Sequence, residues 1–193
     1  MARARTLAAL VLAASGLLAQ PAWATHTVST VCFSQNVQIS GTDGVDNPLN
    51  GNDNPNVMAA GAGGDSIYGK DGADRICGDD GGDYIEGNLG NDYLTGNDGA
   101  DWIQASRGDD NEVRGASDSD TVFGEEGADT TFGGAGIDHV YGGEEDDIIY
   151  DGPGTDYVSG QSGTDVWFHC YQSGVTDVDD GTIEVEFLSS DYC

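Results

Sequence analysis

The chain has 193 residues, with 35 Asp and Glu against 6 Lys and Arg, so its formal net charge is −29. This acidity argues against nucleic acid as a partner, because the phosphates would be repelled. A chain with 31 glycines and few large apolar residues is also expected to stay disordered in water unless cations are present.

The N-terminus has the pattern of a secretory signal peptide. Arg3 and Arg5 form a basic region, an apolar stretch follows over residues 7–19, and Ala22-Trp23-Ala24 fits the small-x-small cleavage rule. The apolar stretch is short for a membrane span, which needs about twenty residues. We therefore expect residues 1–24 to be removed, no membrane span, and a protein that is secreted or lies at the cell surface.

Residues 25–40 are interpreted as an N-terminal cap. Alternating and β-branched residues such as Val31, Phe33, Val37 and Ile39 predict one or two strands over the first part of the following array. The ends of repeat arrays expose apolar edges that need such covering.

A nine-residue unit, Gly-x-x-Gly-x-Asp-x-apolar-x, occurs twelve times between Ala60 and Phe168. All twelve units have Asp at the sixth position: Asp65, Asp74, Asp83, Asp92, Asp101, Asp110, Asp120, Asp129, Asp138, Asp147, Asp156 and Asp165. The eighth position is aliphatic in ten units; the two exceptions are Thr131 and Trp167. Each unit is predicted to be a turn followed by a three-residue strand, and only stacked units can bury the eighth side chain.

This repeat resembles the RTX, or hemolysin-type, calcium-binding nonapeptide repeat, and the resemblance covers residues 41–168. It implies an all-β fold, a right-handed parallel β-roll in which two units make one coil and Ca²⁺ lies between the turns of neighbouring coils. Partner aspartates would then be eighteen residues apart, as Asp65 and Asp83 are.

The chemistry of the residues agrees with a calcium site, since Ca²⁺ takes six to eight oxygen ligands from carboxylates and carbonyls. The alternative is that Asp and Gly serve only as turn formers. Twelve aspartates in register favour calcium. Ten pairs of aspartates would hold up to about ten ions and reduce the net charge from −31, after loss of Arg3 and Arg5, to about −11. Metal binding and folding are then expected to be one event.

The repeat is irregular in places. Asp118 and Glu145 replace the fourth-position glycine, which predicts distorted turns, and one residue is inserted at Asn111-Glu112, which predicts a small bulge. Residues 41–49 and 51–59 are interpreted as degenerate opening coils.

Four cysteines allow three disulfide connectivities, and we favour Cys32–Cys77 with Cys170–Cys193, each joining a flank to the nearer end of the roll. A zinc site is the alternative, but CxxC spacing is absent.

Residues 169–193 are interpreted as a C-terminal cap. Residues 182–187 alternate polar and apolar as in a half-buried strand, and Trp167 is a candidate plug for the end of the core. Outward aromatic rows (Phe123 with Tyr141; Phe132 with Tyr150 and Phe168; Tyr84 with Trp102) either stabilise the sheets or bind a protein or glycan partner.

Sequence signatures of catalysis are missing. The chain has no HExxH and no GxSxG motif, and residues 25–40 are too short for a catalytic domain before the repeats. The sequence thus predicts a non-enzymatic, exported calcium-binding protein with a structural, surface or matrix role. The alternative is an accessory or remnant module of a calcium-dependent secreted toxin or hydrolase.

Overall fold

The structure is a computed structural model that describes residues 31–170, 178–179 and 185–189. The predicted signal peptide, most of the predicted C-terminal cap and Cys193 therefore lie outside the described residues. Within the described part, no helix is long and apolar enough to cross a membrane.

The fold is an all-β solenoid of about seven turns whose strands stack in parallel, as predicted. Alternate strands along the chain form two facing sheets. The eight-stranded sheet contains β4 (Leu49–Asn50), β6 (Ser66–Asp71), β8 (Tyr84–Leu89), β10 (Trp102–Arg107), β12 (Thr121–Glu126), β14 (His139–Glu144), β16 (Tyr157–Ser162) and β18 (Val178–Asp179). The nine-stranded sheet contains β3 (Ile39–Ser40), β5 (Val57–Ala62), β7 (Arg75–Asp80), β9 (Tyr93–Asp98), β11 (Glu112–Ser117), β13 (Thr130–Ala135), β15 (Ile148–Tyr150), β17 (Val166–Cys170) and β19 (Val185–Ser189).

The core lies between the two sheets and is built from the eighth position of each unit. Neighbouring strands pair eighteen residues apart, so Ile67 lies beside Ile85 and Ile76 beside Leu94. The eighth-position side chains are buried from Ile67 to Trp167, and Ile39 and Leu49 pack against the first of them. One buried eighth-position side chain per unit, aliphatic in ten of the twelve units, therefore builds a continuous core.

The strands are longer than the three residues predicted. Most span six residues, because the strand continues through the first three positions of the next unit. The second position of that unit takes a left-handed φ, as at Lys70 (82°) and Asn88 (78°), and these two residues remain paired in the sheet. Pairing between coils thus continues through a residue that the Gly- and Asp-rich sequence had marked as a turn.

The inserted residue is accommodated in a turn and not as the predicted strand bulge. Asn111 lies between Asp110 and the start of β11, and Val113 still faces the core beside Leu94. The spacing between neighbouring coils increases to nineteen residues at this point, while the register of the sheets is kept. At the irregular fourth positions, Asp118 and Glu145 have φ of 72° and 81°, whereas Gly127 has 136°, so these turns differ as predicted.

The N-terminal segment forms a hairpin of β1 (Val31–Cys32) and β2 (Gln35–Asn36). It lies on the outer face of the nine-stranded sheet, where buried Cys32 packs with Val57, Ala59 and Cys77, whereas Ile39 of the same predicted cap packs against the main core. The structure pairs Cys32 with Cys77 at a Cα–Cα distance of 5.9 Å. The pairing of Cys170 with Cys193 stays a prediction, because Cys193 lies outside the described residues.

Thr131 is the one polar residue among the eighth positions, and it is fully buried between Val113 and Ile149. Its hydroxyl has no hydrogen-bond partner. We expect Thr131→Val to raise the free energy of unfolding by about 1–2 kcal/mol, because an isosteric methyl group removes the cost of an unpaired buried hydroxyl. Urea unfolding at fixed, saturating calcium measures this change. The matched control, Val122→Thr in the opposite sheet, should lower the free energy of unfolding by about 1–3 kcal/mol. A change of the same sign in both variants would contradict the prediction.

Candidate metal centre

The twelve sixth-position aspartates lie at the turns in two rows, which we call row I and row II. Row I precedes the strands of the eight-stranded sheet and contains Asp65, Asp83, Asp101, Asp120, Asp138 and Asp156. Row II precedes the strands of the nine-stranded sheet and contains Asp74, Asp92, Asp110, Asp129, Asp147 and Asp165. The structure therefore brings together the aspartates that the resemblance to the RTX repeat implies to be neighbours.

Within each row, every aspartate is hydrogen bonded to the next one. The backbone N–H of one Asp donates to Oδ1 of the Asp in the following coil, in all ten pairs, at 2.5–2.9 Å. One carboxylate oxygen of each pair thus serves to hold neighbouring coils together.

The other oxygen, Oδ2, is left without a partner. In all twelve aspartates Oδ2 is buried and accepts no hydrogen bond. A buried carboxylate oxygen without a partner is costly, because it has lost its hydration and gained nothing in exchange. Twelve repetitions of the same unpaired atom indicate that the turns are built for a positively charged ligand.

Main-chain oxygens converge on the same places. A Cβ added to Gly69, the first residue of its unit, would lie 2.5 Å from Oδ2 of Asp74 and 2.7 Å from the carbonyl oxygen of Gly87 in the next coil. The same arrangement surrounds Gly78, where the oxygens come from Asp83 and Gly96. Glycine at this position leaves open the space between a carboxylate oxygen and a carbonyl oxygen.

Burial raises the pKa of these carboxyl groups, and repulsion by neighbouring aspartates adds to the effect, while the backbone hydrogen bond to Oδ1 opposes it. The pKa rises to about 8 for Asp101, Asp110 and Asp147, to about 7 for Asp83, Asp92 and Asp120, and to about 6 for Asp129 and Asp138. It is also raised for Asp65 and Asp74. The metal-free rows thus hold negative charge only at a cost in free energy.

The donor set fits a hard cation. Among the described residues, no three His, Cys, Asp or Glu side chains are grouped as they would be in a side-chain metal site. An ion in the rows would therefore be held by the carboxylate Oδ2 atoms together with main-chain carbonyl oxygens, a combination that Ca²⁺ accepts. Nitrogen and sulfur ligands, which zinc sites use, have no part in either row.

Two further residues extend the rows at the N-terminal end. The N–H of Asp46 donates to Oδ1 of Asp65, and the N–H of Asn56 donates to Oδ1 of Asp74, at 2.6 and 2.7 Å. Oδ2 of Asp46 is occupied by the N–H and hydroxyl of Thr42. The opening coils thus continue the backbone hydrogen bonds of the two rows. However, the carboxylate of Asp46 is hydrogen bonded within its own turn, and Asn56 carries no charge.

Asp151 is a buried carboxylate that the sequence analysis did not single out. It occupies a first position, where most units have Gly, and it is fully buried. Its Oδ1 accepts the N–H groups of Gly152 and Cys170, and its Oδ2 lies 2.7 Å from Nδ1 of His169. Burial raises the pKa of Asp151, and the hydrogen bonds from Cys170 and His169 lower it. A break in the glycine pattern followed by His one coil later was the signal for this pair.

The raised pKa values predict the pH dependence of the metal-free roll. A carboxyl group whose pKa is raised from about 4 in the unfolded chain to 6–8 in the folded chain binds its proton more tightly when folded. Its contribution to stability is complete below about pH 4 and is lost as the pH rises through 6–8. Metal-free protein should therefore show more β-structure by circular dichroism at pH 5 than at pH 8. With saturating calcium the preference should reverse, since protons compete with the metal. Identical metal-free spectra at the two pH values would contradict this.

The outward aromatic side chains form the rows that their spacing predicts. Phe123 and Tyr141 stack at 4.7 Å between centroids, and Phe132, Tyr150 and Phe168 stack at 4.7–4.8 Å. Tyr84 and Trp102 are paired in register. Because stacked rings cover each other's faces, the Phe132 row presents mainly ring edges to the outside, an arrangement that suits sheet stabilisation.

A family model agrees with the geometry. The RTX calcium-binding nonapeptide repeat matches in four overlapping copies, over residues 50–85, 78–112, 109–140 and 132–166. No curated protein matches the chain.

Proposed function

Since the chain belongs to the family of RTX calcium-binding nonapeptide repeat proteins, we propose that rows I and II bind Ca²⁺ through the twelve sixth-position aspartates and the turn carbonyls. The observation that carries this proposal is the unpaired, buried Oδ2 of all twelve aspartates. When bound, Ca²⁺ neutralises the negative charge of these buried carboxylates.

The chain's own residues position the carboxylates of the two rows for metal binding. Oδ1 of each Asp fixes the carboxylate against the backbone of the neighbouring coil, as Asp83 Oδ1 does with the N–H of Asp65 at 2.8 Å. The glycines keep the adjacent space open, and the eighth-position side chains hold the coils in register. The number of ions proposed is up to about ten, one for each pair of neighbouring aspartates.

We also propose that the protein works outside the cytoplasm as a non-catalytic structural, surface or matrix protein. Support comes from the signal-peptide pattern of residues 1–24 and from the disulfide between Cys32 and Cys77, a bond typical of oxidising compartments. The protein recovered from outside the producing cells should begin at Thr25 by N-terminal sequencing. The second candidate, an accessory module of a calcium-dependent toxin or hydrolase, rests only on the repeat type.

Equilibrium dialysis against Ca²⁺ tests the calcium proposal by counting ions. We expect about ten ions per folded chain, a lower count for Asp83→Asn, and an unchanged count for Asp98→Asn. Asp98 is the matched control, because it is an exposed carboxylate at the third position of a row I turn. Equal losses for the two variants would show that net charge, and not the rows, attracts the metal.

A further inference from the structure

The outer face of the eight-stranded sheet carries a continuous group of aromatic side chains. Tyr84, Trp102, Phe123 and Tyr141, here called the aromatic stripe, lie on consecutive strands β8, β10, β12 and β14. Trp102 is 45% exposed, and its ring lies 5.1 Å from that of Phe123 at an angle of 40°. Because the two rings are tilted, part of the Trp102 indole face is open to a ligand.

Carboxylates border this stripe on one side. Glu125 at the second position and Glu126 and Glu144 at the third follow the aromatic positions along the strands, whereas Glu86 at the ninth position is aligned with Phe123 and Tyr141. Gln104 connects the border to the stripe, since it accepts the Tyr84 hydroxyl at 2.6 Å and donates to Glu125 at 2.9 Å. Only Glu126 of the four is in an ion pair within the described residues, with Arg107 at 2.8 Å.

On the nine-stranded sheet, two aromatic rings are in contact with arginine side chains of the chain itself. The guanidinium of Arg75 lies 4.7 Å from the ring centre of Tyr93, and that of Arg114 lies 4.8 Å from the ring centre of Phe132. Both cation–π contacts of the described part are on that sheet. Of the two Lys and Arg side chains of the eight-stranded sheet, Lys70 is on β6, and Arg107 lies at the acidic border, where it pairs with Glu126. Within the described residues, no cation lies over a ring of the stripe, and three of its four bordering carboxylates have no ion-pair partner.

We propose that the aromatic stripe and its acidic border are a docking surface for an arginine-rich segment of a partner polypeptide. Trp presents the best ring face for a cation, and a planar guanidinium can stack on it while it donates to a carboxylate. Glu125 and Glu144 line one shallow pocket with Phe123 and Tyr141, so other arginines of the same segment can donate to them while one stacks on Trp102. A neutral glycan could donate hydrogen bonds to these carboxylates but would bring no positive charge, and a second copy of the chain would bring the same negative charge.

The surface depends on calcium only through folding. The side chains of the aromatic stripe are on the sheet and not in rows I and II. They remain available to a partner when calcium is bound. The inference rests on the proposed function to that extent.

Fluorescence anisotropy of a labelled peptide of alternating arginine and glycine tests the proposal, with calcium-saturated protein at about 0.15 M salt to screen general charge attraction. We expect saturable binding that Trp102→Ala and Glu125→Gln each weaken about tenfold. The corresponding lysine–glycine peptide should bind several-fold more weakly, because an ammonium group cannot stack as a guanidinium does.

Matched variants separate the face from the rest of the molecule. Ile148→Ala removes an exposed apolar side chain from the other sheet, and Asp53→Asn removes one negative charge from an opening coil. Both should leave peptide binding unchanged. Circular dichroism in calcium measures the folding of each variant separately from peptide binding. If calcium does not fold the protein, every variant lacks β-structure; if only the docking surface is wrong, the variants are folded but do not bind the peptide as expected.

Three results would overturn the inference: folded protein that does not bind, equal affinity for both peptides together with full affinity of Trp102→Ala, or self-association of the protein through this face in sedimentation.

Discussion

In calcium-free buffer near neutral pH, the protein should be expanded and lack regular β-structure, and added Ca²⁺ should convert it to the compact roll. Burial of twelve carboxylates with an unpaired Oδ2 opposes folding, and the net charge of −29 adds long-range repulsion. The core offers only one buried eighth-position side chain per unit, so the favourable free energy of apolar burial that offsets this cost is small. Calcium removes the electrostatic cost directly, so binding and folding are coupled.

The transition should appear as a gain of β-structure by circular dichroism and a fall in radius of gyration from about 45 Å to below about 20 Å by small-angle scattering. Its midpoint is expected at about 10⁻⁴ to 10⁻³ M Ca²⁺, the range of extracellular modules. Mg²⁺ should replace Ca²⁺ poorly at equal concentration, because it requires tighter octahedral geometry and loses water reluctantly. A compact, β-rich chain in excess chelator would falsify this prediction.

The second large effect concerns position in the array: Asp101→Ala should disturb calcium-driven folding more than Asp165→Ala. Asp101 lies in the middle of row I, where its Oδ1 accepts the N–H of Asp83 and its own N–H donates to Oδ1 of Asp120. Asp165 has one neighbour among the twelve aspartates, Asp147. Since each coil is stabilised by its neighbours, a central loss divides the array whereas a terminal loss shortens it.

Calcium titrations of the two variants, followed by circular dichroism, measure the difference. We expect Asp101→Ala to raise the calcium midpoint about tenfold and to lower the steepness of the transition, and Asp165→Ala to raise it about twofold. Asp101→Asn is the informative third variant, because its side-chain carbonyl keeps the hydrogen bond to Asp83 but directs an NH₂ group toward the metal. It should resemble Asp101→Ala. Equal midpoints for the central and terminal variants would show that the coils do not act as a linear array.

The sequence by itself determined the parallel solenoid, its register and its core. A period of nine with an apolar residue at every eighth position predicts stacked units that each bury one side chain. The resemblance to the RTX repeat implies two units per coil, so that strands eighteen residues apart pair and Ile67, Ile85 and Ile103 stack inside. The same resemblance implies which aspartates are neighbours, and the insertion at Asn111 did not change this, because both rows take up the extra residue in the same coil.

Tertiary structure alone decided how the turns close and what surrounds them. The left-handed φ of Lys70 and Asn88 extends the strands to six residues, because pairing with neighbouring coils outweighs the local preference for a turn. The hairpin lies on the outside of the nine-stranded sheet because Cys77 and Val57 offer an apolar site there. Likewise, the pair of Asp151 and His169, and the cations over Tyr93 and Phe132, depend on contacts between coils that no single nine-residue unit contains.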